Sequence, residues 1–86
     1  MTQRTILVVD DEPFICRSLT FVLRKDNYKV YEARNGEEAL AAIKEHKPDL
    51  VFLDVMMPKI NGFEVTERVR SDPELAGVKI ILLTAK

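Results

Sequence analysis

Asp49-Leu50-Val51-Phe52-Leu53-Asp54-Val55-Met56-Met57-Pro58 is an apolar run of strand length that ends on an acid and is closed by a proline. Four consecutive apolar residues between two aspartates predict a strand buried on both faces, as in a parallel sheet covered by helices. Asp54 then emerges at its carboxyl end. Open α/β sheets place their chemistry there, which makes Asp54 the first candidate for a functional residue.

The same design recurs upstream. Thr5-Ile6-Leu7-Val8-Val9-Asp10 is β-branched and apolar and again ends on an acid, so it reads as a first strand buried on both faces. Asp11-Glu12-Pro13 is suited to cap the next helix, with a carboxylate accepting from the first free N–H groups and Pro13 in the first turn. Ile15, Leu19, Val22 and Leu23 follow at helical spacing, and this helix is expected to end near Asp26-Asn27. Tyr28 to Ala33 alternates only in part and carries more polar residues, as an edge strand does. Asn35 with Glu38, and Asn61 with Glu64, have capping-box spacing and open two further helices. The first of these helices buries Ala39, Leu40 and Ile43 and stops at Lys47-Pro48. The second uses Phe63, Val65, Thr66 and Val69 and stops before Asp72-Pro73. Val78 to Thr84 forms a fourth strand, leaving only Ala85-Lys86 beyond it.

Strands alternating with helices imply βαβ units, right-handed crossovers and a parallel, doubly wound α/β sheet. With the polar second strand at an edge and the apolar first and third inside, the strand order is 2-1-3-4. The winding reverses between strands 1 and 3. Asp10, Asp11 and Asp54 then share one crevice. Crowded carboxylates need protons or a cation, and hard oxygen ligands without imidazole or thiolate favour Mg²⁺. A cation there also offsets the charge of an incoming phosphoryl group, and Thr84 at the end of the neighbouring strand is placed to give such a group a hydroxyl hydrogen bond.

At these residues the sequence resembles the receiver domains of two-component response regulators. The matching pieces are Val8-Val9-Asp10-Asp11-Glu12-Pro13, Leu53-Asp54-x-x-Met57-Pro58-x-x-x-Gly62 and Thr84-Ala85, in order and at appropriate separations. The resemblance covers the whole chain and implies a flavodoxin-like fold. It implies that Asp54 is the phosphoacceptor, taking a phosphoryl group from a sensor histidine kinase or phosphotransfer domain. Asp11 would then coordinate Mg²⁺ directly, Asp10 largely through water, and the backbone carbonyl of Met56 would be a further ligand beside Asp54. Thr84, with Ala85 after it, would form the phosphoryl-binding switch. Such a module is a phosphoacceptor rather than an enzyme. The family continues through a fourth helix, a fifth strand carrying an aromatic switch residue and a terminal lysine, and a fifth helix. Residues 1–86 are therefore expected to be the N-terminal portion of a single receiver domain, and Lys86 is not the family lysine.

Composition narrows the remaining classes. Eighty-six residues form at most one domain, and 13 basic against 14 acidic side chains give no bulk attraction for nucleic acid. One cysteine, Cys16, excludes an internal disulfide and fits a reducing cytoplasm. No apolar run approaches the ~18 residues of a membrane span. Neither a Gly-x-Gly-x-x-Gly turn nor a Gly-Lys-Ser/Thr loop follows strand 1, which disfavours a nucleotide-binding enzyme. The alternative to a signalling module is a structural fragment that self-associates through strand 4 or an uncovered sheet face, because Ile80-Ile81-Leu82-Leu83 is too apolar for a solvated edge.

Overall fold

The computed structural model describes residues 3–57 and 59–83. The elements run β1 (Thr5–Val9), α1 (Pro13–Lys25), β2 (Lys29–Ala33), α2 (Gly36–His46), β3 (Leu50–Asp54), α3 (Gly62–Arg70), a 3-10 turn at Pro73–Leu75, and β4 (Lys79–Leu83). All strand pairs are parallel and the order is β2-β1-β3-β4, the doubly wound arrangement the sequence predicts. Val9 pairs with Ala33 on one side and Leu53 on the other. The carboxyl ends of β1, β2 and β3 are therefore level.

The two faces of the sheet are unequally covered. Under α2 and α3 lies the larger core, in which Leu7, Val9, Val51 and Leu53 from the sheet meet Ala39, Ile43, Val65 and Val69 from the helices. Leu75 from the 3-10 turn, and Val78, expected to open the fourth strand but standing just before it, complete it. On the other face α1 packs Cys16, with Leu19 and Leu23, on Ile6, Val8 and Val30. β3 is thus buried on one face but only half-buried at Leu50 and Phe52 on the other, contrary to the expectation of a strand buried on both faces. α1 sits over β1 and β2 and leaves that part of β3 partly open.

Helix faces also depart from simple periodicity. Val22 is 56% exposed, and the buried positions of α1 are Cys16 and Thr20. Thr20 tolerates burial because its hydroxyl donates to Glu32 Oε2 at 2.6 Å. In α3, Phe63 is 60% exposed and the core side chains are Val65 and Val69. Both asparagine caps form, Asn35 accepting from Glu38 N and Asn61 from Glu64 N. Glu38 reaches back past the cap residue to accept from Arg34 N, whereas Glu64 turns outward to Arg68. The expected acidic cap of α1 does not form: Glu12 occupies the cap position without a side-chain bond, and Pro13 takes the first turn. Among the described residues no helix is long and apolar enough to cross a membrane.

Cys16 is fully buried, and its thiol donates to the carbonyls of Asp10 at 3.3 Å and Ala33 at 3.9 Å. Burial pushes the thiol above its ordinary value of 9.0, aided by the nearby Glu32 carboxylate. Such a thiol is a packing group and not a nucleophile.

Leu53→Ala, in the closed core, is expected to cost about 2–5 kcal/mol in urea unfolding, while Val22→Ala stays within about 0.5 kcal/mol. Equal losses would contradict the burial described. A second expectation concerns pH. The unfolded chain releases the Cys16 proton at lower pH than the native one, so its contribution to stability is intact below about pH 9 and is lost as pH rises further. Denaturation midpoints measured from pH 8 to 10.5 should fall less steeply in Cys16→Ala than in the unsubstituted chain.

Candidate functional site

β1 and β3 are hydrogen-bonded neighbours, so the residues that follow Val9 and Leu53 leave the sheet side by side. Asp10 and Asp54 are each 2% exposed, and Asp11 projects into solvent beside them. A carboxylate oxygen from each of Asp10, Asp11 and Asp54 lies within 4.8 Å of the others. The three acids singled out in the sequence therefore do form one cluster.

Local backbone holds two of the three. Asp10 Oδ1 accepts from Glu12 N at 2.9 Å, and the Asp10 amide is tied to Ala33 O at 3.2 Å. Asp54 Oδ1 accepts from Met56 N at 3.1 Å. Each bond is the turn-forming pattern in which an aspartate receives the amide two residues on, so the chain reverses and aims its carboxylate at the same time. Before α1 this bond ties the amide of Glu12, the residue at the cap position, and not an amide of the helix's first turn.

The β3–α3 loop is shaped by its ends. Gly62 N donates to Val55 O at 3.1 Å, and a Cβ on Gly62 would come within 2.8 Å of Asp54 O and 2.9 Å of Val55 Cα. Only glycine permits that approach, so Gly62 allows α3 to begin directly against the strand end that carries Asp54. Met56 is strongly exposed and Met57 is packed into the core, so the loop keeps one methionine as an anchor and offers the other to solvent. With Val55, Asn61 and the exposed Phe63, they line an open hollow of about 500 Å³. Periodicity assigned Phe63 to the core; the structure places it beside the site instead.

The donor set is chemically specific. For the buried pair Asp10 and Asp54, whose carboxylate oxygens come within 4.8 Å, repulsion between ionised forms amounts to at least about 3 kcal/mol at an effective dielectric near 20. Amide hydrogen bonds offset part of this cost. A divalent cation offsets more, and an all-oxygen set with neither thiolate nor imidazole suits Mg²⁺ better than zinc or copper. Asp10, Asp11 and Asp54 are the described side chains that could hold it. Thr84 and Ala85, the remaining residues of the expected site, lie outside the described residues, as does Pro58.

Comparison with known proteins agrees with this geometry. The family profile for the response regulator receiver domain matches residues 6–86. The DNA-binding response regulator MtrA of Mycolicibacterium smegmatis is 46% identical over 86 residues, all of this chain and 36% of that protein. Protein PilH of Pseudomonas aeruginosa is 38% identical over 81 residues, covering 94% of this chain and 67% of that one. Among solved structures, the N-terminal domain of a response regulator receiver protein from Methanoculleus marisnigri superposes with a TM-score of 0.92 at 41% identity, over 99% of this chain and 69% of that one. The response regulator TrrA of Thermotoga maritima, solved in complex with Mg²⁺-BeF, gives 0.88 at 45% identity, over 98% of this chain and 71% of that one. The chain thus spans about a third of MtrA and about two thirds of the shorter relatives. On its sequence, strand order and acidic cluster, the chain belongs to the response-regulator receiver domains.

Proposed function

We propose that this chain is a Mg²⁺-dependent phosphoacceptor in two-component phosphorelay signalling, with Asp54 as the accepting residue. The observation that carries this reading is the convergence of Asp10, Asp11 and Asp54 within 4.8 Å at the carboxyl ends of two adjacent strands. The Mg²⁺-BeF complex of TrrA, similar over nearly the whole chain, supports the same choice of ion.

Asp54 is held at the strand end by its bond from Met56 N, and an oxygen of its carboxylate acts as nucleophile. This oxygen attacks the phosphorus of a phosphohistidine on a sensor kinase or phosphotransfer domain. The P–N bond breaks as the O–P bond forms, and the departing imidazole keeps its electron pair and takes up a proton. Asp10, Asp11, Asp54 and the Met56 carbonyl would hold the ion, which would supply neutralisation of the charge on the phosphoryl oxygens. Burial of Asp54 excludes competing water, and the phosphoryl donor approaches over the open hollow bounded by Met56 and Phe63. The resemblance assigns Thr84 and Ala85 the phosphoryl-binding switch. We regard the chain as a substrate of phosphotransfer, cytoplasmic and without a direct nucleic-acid surface, and not as a turnover enzyme.

Intact-mass spectrometry after incubation with a small-molecule phosphodonor tests this directly. A single phosphoryl adduct is expected with Mg²⁺, absent with chelator and absent in Asp54→Asn. A folded chain that gains no adduct, or an Asp54→Asn variant that gains the same one, would overturn the assignment.

One observation favours a second reading, self-association as a structural fragment. β4 is the outermost described strand, and Ile81 is 46% exposed on the sheet face that α1 leaves open. Light scattering would show a mass that rises with protein concentration if this reading holds, and a constant monomer mass would remove it.

A further inference from the structure

The far end of the β3–α3 loop rests on the first residue of α2. A Cβ on Gly36 would fall 2.6 Å from Ile60 Cβ, closer still to the Ile60 carbonyl oxygen, and 3.1 Å from its carbonyl carbon. Backbone conformation does not explain this glycine, because no glycine here has positive φ, and alanine is ordinarily well accepted in a helix. Space explains it. Ile60 is partly buried against the larger core, and the adjoining Lys59 reaches Glu37 of α2 at 3.4 Å, so two consecutive loop residues meet two consecutive residues of the helix. The ion pair is exposed and contributes little. The backbone contact at Gly36 is the stiffer of the two, since a carbonyl group cannot swing aside as a side chain can.

The other end of the loop is fixed by Gly62 against Asp54 and Val55. Between these two close approaches lie Met56, whose amide bonds Asp54, and Met57, which is packed into the core. The loop that seats Ile60 on Gly36 is the same short loop that bonds Asp54 through Met56, so the seat and the site share one segment.

We infer that Gly36 is a positioning residue for the candidate metal site: by lacking a side chain it seats the β3–α3 loop on α2 and so sets where the Met56 backbone and the Asp54 carboxylate stand. This rests on the metal-binding reading given above. Gly36 touches neither metal nor phosphoryl group and acts through Ile60.

The test compares the full chain with Gly36→Ala and Ala41→Gly, using Mg²⁺ titration calorimetry and amide NMR spectra of the metal-free proteins. Ala41→Gly weakens the same helix at an exposed position remote in sequence from the loop contact, and so controls for a merely structural effect. Gly36→Ala is expected to bind Mg²⁺ roughly tenfold more weakly, the low end of what outer-shell changes cost. Its metal-free amide shifts should concentrate at Val55–Met57 and Lys59–Asn61, while Ala41→Gly keeps the original affinity. Unchanged affinity in Gly36→Ala, or an equal loss in Ala41→Gly, overturns the inference alone. Absence of saturable Mg²⁺ binding by the unsubstituted chain overturns the metal reading and this inference with it. Should Gly36→Ala fail to fold, Ile60→Gly removes the side-chain half of the seat and its core packing while leaving the carbonyl half, and a smaller weakening in the same direction is expected there; unchanged affinity again overturns the inference.

Discussion

Two carboxylates are forced together by the hydrogen-bond ladder itself. Once β1 and β3 are parallel neighbours in the observed register, the residues after Val9 and Leu53 emerge a strand spacing apart, and both are aspartates. Neither acid can leave without breaking the sheet, so their repulsion must be managed where they stand. Much of the surrounding structure answers that constraint. Turns at Asp10-Asp11-Glu12 and Asp54-Val55-Met56 each aim an amide at a carboxylate oxygen, and Gly62 brings a helix start against the second turn.

Stability is supplied largely from the other direction. Among the described residues, the core beneath α2 and α3 joins twelve buried side chains, whereas the α1 face joins four and shares Leu50 and Phe52 with solvent. The site lies at the rim of the well-packed side. Met57 belongs at once to the core and to the loop that follows Asp54, which ties the position of the reactive strand end to close-packed residues.

Most of the architecture was readable in the sequence. Strand composition, two asparagine caps and the alternation of elements sufficed for the order 2-1-3-4 and hence for the meeting of Asp10, Asp11 and Asp54. Failures came where periodicity was asked to decide a side chain's fate. Phe63 and Val22 lie on helices whose apolar stripe is wider than the contact their neighbours offer, and hydrophobicity alone does not say which edge of a stripe is covered. Thr20 was missed for the converse reason: its partner, Glu32, is on another element, and only the fold brings them together. Gly36 reads locally as part of a cap, and nothing in its neighbourhood announces that Ile60 will occupy the space of its missing side chain. The acidic cap of α1 does not form: Glu12 takes the cap position without a side-chain bond, and its own amide donates to Asp10.

Parallel βαβ winding also determines the field in which the acids sit. Each strand delivers the chain to the start of a helix, so α1 opens just past Asp10-Asp11 and α3 opens against Asp54 and Val55. Helix N-termini carry partial positive charge and free amides, each contributing about 0.3–1 kcal/mol to a nearby anion. Handedness and parallel pairing, which arise from backbone sterics alone, thus place two favourable dipole ends at the edge of the sheet where the carboxylates collect. The cluster is sustainable there for the same reason that it forms there. At the opposite edge, helix C-termini would have faced the acids, and the repulsion between Asp10 and Asp54 would have been increased by the backbone instead of reduced.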